Sequence, residues 1–126
     1  MIKTLRGVLT QKSPTSAIVD VNGVGYGISI SLFTYDELPN EGDIAEILTY
    51  QYVREDRLEL FGFVDSRERD MFEHLISVSG IGPNSAQIIL SGMSLDDLQE
   101  AIANARVAEL TSIKGIGRKT AERMVV

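Results

Sequence analysis

The residues best suited to chemistry on a ligand form two Gly-Ile-Gly triplets, Gly80-Ile81-Gly82 and Gly115-Ile116-Gly117. Each sits in a longer repeat. Leu75–Leu90 reads LISVSGIGPNSAQIIL and Leu110–Val125 reads LTSIKGIGRKTAERMV, an offset of 35 residues with six of sixteen positions identical. Glycine permits the left-handed or tightly turned backbone that joins two helices, and it leaves no Cβ to obstruct an approaching ligand. The isoleucine between the glycines can plug the space between the helices, and a small residue (Ala86, Ala121) follows at the same place in each copy. The helix that comes next begins with unpaired N–H groups, which suit a phosphate oxygen. One G-x-G could simply end one helix and begin another. Two copies at a fixed spacing point instead to paired sites for successive phosphates, giving register without base readout.

The flanking residues make the two copies unequal. The first offers Asn84 and Ser85 as amide and hydroxyl donors but no cation, whereas the second offers Arg118, Lys119 and Thr120, with Arg123 further along. Lys119 and Arg123 are four apart and share a helix face. The second copy is therefore expected to carry more of the attraction. This pattern is the helix-hairpin-helix signature of non-sequence-specific DNA binding. The overall charge opposes it: 12 basic and 18 acidic residues leave −6, and a phosphate backbone rewards Lys and Arg. Yet Lys114, Arg118, Lys119 and Arg123 face only Glu122 in the last 13 residues, a local net of +3.

Other chemistry finds little to work with. No cysteine is present, which removes disulfides and thiolate metal sites and makes a reducing cytoplasm the natural home. His74 is the only histidine, so no metal cluster or histidine-based triad is expected, and no cofactor. A Walker-type phosphate loop around Lys119-Thr120 would need glycines where Ile113 and Arg118 stand. Gly23-Val24-Gly25-Tyr26-Gly27 lies among strands rather than between strand and helix, so it is no dinucleotide fingerprint. No apolar run approaches the roughly 20 residues that a membrane span requires, so no membrane partner is expected.

The elements that position the triplets change character near residue 64. Ile2–Thr10, Ser16–Val21, Gly25–Ser31, Ile44–Tyr52 and Arg57–Phe63 are short runs rich in Val, Ile, Tyr and Phe and read as strands. Asn22-Gly23 predicts a type I′ turn, and Pro39-Asn40-Glu41-Gly42 a later one. Five such strands fit a closed OB-type barrel. Asp65-Ser66-Arg67-Glu68 has the form of an N-cap with an acid three residues on. Ser94-Leu95-Asp96-Asp97 opens another helix, with Leu95, Leu98 and Ile102 on one face. The expected organisation is a β-barrel over 1–63 followed by an all-α tandem helix-hairpin-helix domain over 65–126.

With barrel and tandem triplets in place, the sequence resembles the RuvA family, the junction-recognition subunits of the RuvAB branch migration complex. The match rests on Met1-Ile2, Leu5-Arg6-Gly7, Val21-Asn22-Gly23-Val24-Gly25-Tyr26, Val53-Arg54-Glu55-Asp56 and Leu60-Phe61-Gly62-Phe63. In the second half it rests on Gly80-Ile81-Gly82-Pro83, Ile89-Leu90-Ser91-Gly92-Met93-Ser94 and Gly115 through Arg123. The resemblance implies a non-catalytic subunit that binds four-way (Holliday) junction DNA as a homotetramer, one or two per junction. It implies partnership with the RuvB motor and the RuvC resolvase. It also makes Glu55-Asp56, otherwise a solvated turn, an acidic pin at the crossover, flanked by Arg54 and Arg57. Asn84 stands where the family suggests lysine. The family's third domain, which recruits RuvB, is expected beyond Val126. A generic duplex-binding accessory module is the alternative.

Overall fold

The computed structural model describes residues 1–126, which fall into two compact units, Met1–Arg69 and Asp70–Val126. The first is a closed barrel of five strands: β1 (Thr4–Ser13), β2 (Ser16–Val21), β3 (Val24–Ser29), β4 (Ile44–Arg54) and β5 (Arg57–Phe63). Around the barrel they run β1-β2-β3-β5-β4, and β4 pairs back onto β1. This is the OB-type arrangement. All neighbours are antiparallel except β3 and β5, which meet in parallel at Ser29 and Phe61.

Alternation drives the strands. Leu5 and Leu9 of β1, Ala17 and Val19 of β2, Ile28 of β3 and Ala45 and Ile47 of β4 point inward and form one buried cluster. Asn22 and Gly23 have φ of 52° and 92°, as the type I′ turn requires, and the Asp20 carboxylate accepts from the Gly23 N–H at 2.8 Å. At Gly7 the constraint is proximity. A Cβ there would lie 2.1 Å from the Asp20 carbonyl oxygen, so only glycine lets β1 and β2 approach.

Three features depart from the sequence-based expectation. β1 does not stop at Thr10 but continues past a register irregularity between Leu9 and Gln11 to Ser13. The third strand ends at Ser29, because Ser31 caps a six-residue helix, α1 (Leu32–Glu37), by accepting from the Thr34 N–H at 3.1 Å. The third concerns Glu68. Helix α2 (Ser66–Ile76) does begin with Asp65, whose carboxylate accepts from the Arg67 N–H at 2.8 Å. Glu68 turns away from this cap. It is 1% exposed, and its carboxylate accepts from the hydroxyls of Ser31 and, at 2.5 Å, Thr34, both fully buried.

The second unit is helical: the rest of α2, then α3 (Pro83–Gly92), α4 (Leu95–Ala103), α5 (Val107–Thr111) and α6 (Arg118–Met124). Ser94 caps α4 by accepting from the Asp97 N–H at 3.1 Å. Leu95 and Leu98 are buried as expected, but Ala101 rather than Ile102 completes the buried face. Ile102 is half-exposed. Leu75, Ile89, Leu98, Leu110 and Met124 are almost wholly buried. No helix is long and apolar enough to cross a membrane.

Burial raises the Glu68 carboxyl above its ordinary 4.5; the Ser31 and Thr34 hydroxyls oppose the shift and nearby Asp65 adds to it. A raised folded-state value favours the neutral form, so this contribution to stability is complete below the unfolded value and is lost as pH rises through the folded one. Glu68→Gln, which cannot ionise, is expected to gain melting temperature relative to the parent as pH is raised from about 4 to about 7. Glu68→Ala should cost about 2–3 kcal/mol by leaving two buried hydroxyl donors without their acceptor. Thermal melts across pH check both, and a pH-independent difference between parent and Glu68→Gln contradicts the assignment.

Candidate nucleic-acid interface

The sequence repeat is repeated in hydrogen bonds. Ahead of the first triplet, the Ser77 N–H and hydroxyl both donate to the His74 carbonyl (3.1 and 2.5 Å), and the Val78 N–H donates to Leu75 (3.0 Å). Ahead of the second, the Ser112 N–H and hydroxyl donate to Glu109 (3.2 and 2.5 Å), and the Ile113 N–H donates to Leu110 (3.2 Å). Each central isoleucine then donates to the residue three before it, Ile81 to Val78 and Ile116 to Ile113, both at 3.1 Å. Both isoleucines are buried, as plugs should be.

The two glycines of each triplet do different work. Gly80 and Gly115 have φ of +95° and +89°, a left-handed conformation that strains any residue with a Cβ. Gly82 and Gly117 are extended, with φ −91° and −86°, and act as N-caps of α3 and α6. A Cβ at either would meet nothing within 4 Å. Neither cap has a side-chain hydrogen bond, so both helices present their first N–H groups uncapped. Ala86 and Ala121 are fully buried one turn later, each donating to its cap glycine's carbonyl (2.9 and 3.0 Å).

The hairpins lie side by side. A small cleft of about 40 Å³ separates Gly80, Ser85 and Ile88 from Lys114, Gly115 and Thr120. Asn84 and Ser85 are exposed on the first turn of α3; Arg118 and Lys119 are exposed on the first turn of α6, where Thr120 is half-buried. The cations do not form one face. Arg118 pairs with Glu122 at 3.0 Å across one turn. Arg123 turns back to the first hairpin, 3.4 Å from the Ser79 carbonyl. Lys114 and Lys119 are exposed without an ion-pair partner. In sequence Lys114 contributes to the local charge without standing out as a site residue. It occupies the position equivalent to Ser79 under the 35-residue offset.

In the first unit, Arg54 and Arg57 close the β4–β5 hairpin, leaving Glu55-Asp56 as an exposed two-residue tip. The flanking arginines make no ion pair with it. Their guanidinium carbons lie 4.2 and 5.6 Å from the centre of the Tyr52 ring. Arg54 donates to the Val53 carbonyl at 2.9 Å, and Arg57 pairs with Glu59 at 2.7 Å.

Comparison with known proteins matches both halves. The RuvA N terminal domain family matches residues 1–62, and the SAM-like helix-hairpin-helix tandem family matches residues 72–126. A Geobacter metallireducens protein named Holliday junction branch migration complex subunit RuvA is 50% identical over all 126 residues. The chain belongs to the RuvA family. RuvA subunits of Neisseria meningitidis and Cytophaga hutchinsonii, which carry the same name, are 47% and 45% identical over the whole chain. The chain spans 63–65% of the length of these three RuvA proteins.

The division between the glycines can be tested. Gly82→Ser and Gly117→Ser supply a capping hydroxyl and should raise helix stability by roughly a few tenths of a kcal/mol while weakening DNA binding, because the serine oxygen occupies the N–H groups. Gly80→Ala and Gly115→Ala should lose about 1–2 kcal/mol of stability to left-handed strain. Paired melting and DNA-titration measurements check this. Weaker binding by the serine variants only in step with lost stability would remove the cap N–H groups from the interface.

Proposed function

We propose that this chain binds four-way DNA junctions as the non-catalytic, DNA-holding part of an ATP-dependent branch migration complex. The observation that carries the proposal is the pair of hairpins with matched backbone geometry and uncapped helix N-termini, in a RuvA-family chain. Each would hold a backbone phosphate through Gly80–Ser85 or Gly115–Thr120, with Lys119 and Lys114 adding charge. Such contacts position DNA without reading its sequence.

Selection of a junction over a linear duplex needs more than phosphate contacts. Two features of the barrel support a selective reading. The Glu55-Asp56 tip forms no ion pair, because Arg54 and Arg57 make their hydrogen bonds and ion pair elsewhere. Carboxylates repel phosphates, and more strongly where water is partly excluded. Placed at a crossover, the tip would part the strands and reject continuous duplex. The second feature is a groove of about 550 Å³ along the barrel, lined in part by Ile18, Ile28, Leu58 and Glu59. Leu58 is 67% exposed there, and one Glu59 carboxylate oxygen is buried without a partner. The exposed leucine favours self-association, and a homotetramer would match four equivalent arms, each gripped once. In this reading the RuvB motor and RuvC resolvase act with the assembled subunit on DNA in the bacterial cytoplasm.

Gel shifts on a synthetic four-way junction and a linear duplex, with mass measured in parallel, test the reading. Tighter junction binding by a tetramer is expected; equal affinities or a monomer refute it. Glu55→Gln with Asp56→Asn should retain or tighten binding and narrow the preference for junctions. A large loss of affinity would contradict repulsion by the tip.

A further inference from the structure

The 35-residue repeat makes Ser79 equivalent to Lys114 and Ile88 equivalent to Arg123. Both members of the second pair face the opposite hairpin. Arg123, from the last turn of α6, reaches the turn of the first hairpin 44 residues earlier, where its guanidinium donates to the Ser79 carbonyl at 3.4 Å. It also lies against Gly80. A Cβ built on Gly80 would meet Arg123 Nη1 at 3.4 Å and Thr120 Oγ1 at 3.5 Å, whereas one on Gly115 would meet nothing within 4 Å. Ile88, 51% exposed, lines the cleft beside Lys114 and Gly115 but has no donor to return the contact. The crossing is therefore polar in one direction only.

We infer that Arg123 is a positioning residue: it clamps α6 to the turn of the first hairpin and sets the spacing of the two phosphate sites. The inference rests on the proposed DNA-binding reading of the hairpins. Phosphates follow one another along a backbone at a set distance, so two N–H cradles grip together only if their separation is fixed beforehand. The first hairpin has no cation of its own after the triplet, only Pro83-Asn84-Ser85. A contact that stiffens its turn from outside makes up for that lack by pre-organisation. Arg123 thus acts through Ser79 and Gly80, while Lys119 remains the direct phosphate partner.

Salt dependence separates the two roles, because removing a phosphate's cationic partner changes the number of counterions released and removing a clamp does not. Arg123 is exposed, so substitutions there leave the fold intact. The chain and its Arg123→Met and Arg123→Lys variants are compared by amide hydrogen exchange without DNA, and by titration of a fluorescent four-way junction over a series of salt concentrations. Faster exchange is expected in both variants at the hydrogen-bonded amides of the first hairpin, Ile81 and Ala86. Junction affinity should fall about fivefold with the parent's slope of log affinity against log salt. Lys119→Ala should instead flatten that slope by roughly 0.9 for each phosphate that is no longer neutralised. A flattened slope in Arg123→Met, or unchanged exchange in the first hairpin, overturns the clamp. Should the parent chain bind no DNA, the proposed function falls, while the exchange measurement still decides whether the clamp exists.

Discussion

A chain with a net charge of −6 can hold a polyanion only where the attraction is local and short in range. Under the proposed reading, that constraint explains why the hairpins would rely on main-chain groups. An N–H at a helix start carries partial positive charge without adding a side chain that acidic neighbours could neutralise. The structure shows such neutralisation at Arg118, which Glu122 engages one turn away. The left-handed first glycine turns the chain sharply enough to aim the next helix, and the extended second glycine leaves its end bare. Isoleucine and alanine, both buried, keep that turn rigid. Each part of the repeat serves the exposure of a few amide hydrogens.

The repeat was legible in sequence because its signals are local. Gly-Ile-Gly, Asn22-Gly23 and Ser94 report on backbone conformation within three or four residues, and each adopts the conformation its residue type favours. Hydrophobic alternation placed four of the five strands to within two residues at each end. What stayed hidden depends on partners distant in the chain. Glu68 sits where a capping acid would, but hydroxyls 34 and 37 residues away draw it inward. Helix α1 is too short, and too rich in Phe, Thr and Tyr, for periodicity to distinguish it from the end of a strand. Lys119 and Arg123 share a helical spacing, yet Arg123 finds a carbonyl on the other hairpin. Sequence spacing gives the face of a helix, whereas tertiary neighbours decide where a long side chain ends.

The acidic tip follows the same division. Its two-residue turn was readable, but the fate of its arginines was not. Tyr52 and Glu59, both half-buried strand residues, engage Arg54 and Arg57 and so leave Glu55 and Asp56 without an ion pair. The barrel and the hairpin domain thus deploy opposite fields. One presents carboxylates that form no ion pair, and the other presents main-chain donors with two lysines beside them.

The buried carboxylate of Glu68 also orders events in time. Ser31 and Thr34 have no exposure to water in the folded chain, and their hydroxyls depend on an acceptor that is synthesised more than thirty residues later. On the ribosome, the first three strands can pair as soon as they emerge, since their connections are tight turns. The α1 segment must wait until the start of α2 has left the exit channel. Nascent barrels would therefore pass through an interval with two hydroxyls unsealed, and translation between the end of β5 at residue 63 and Glu68 would set its length.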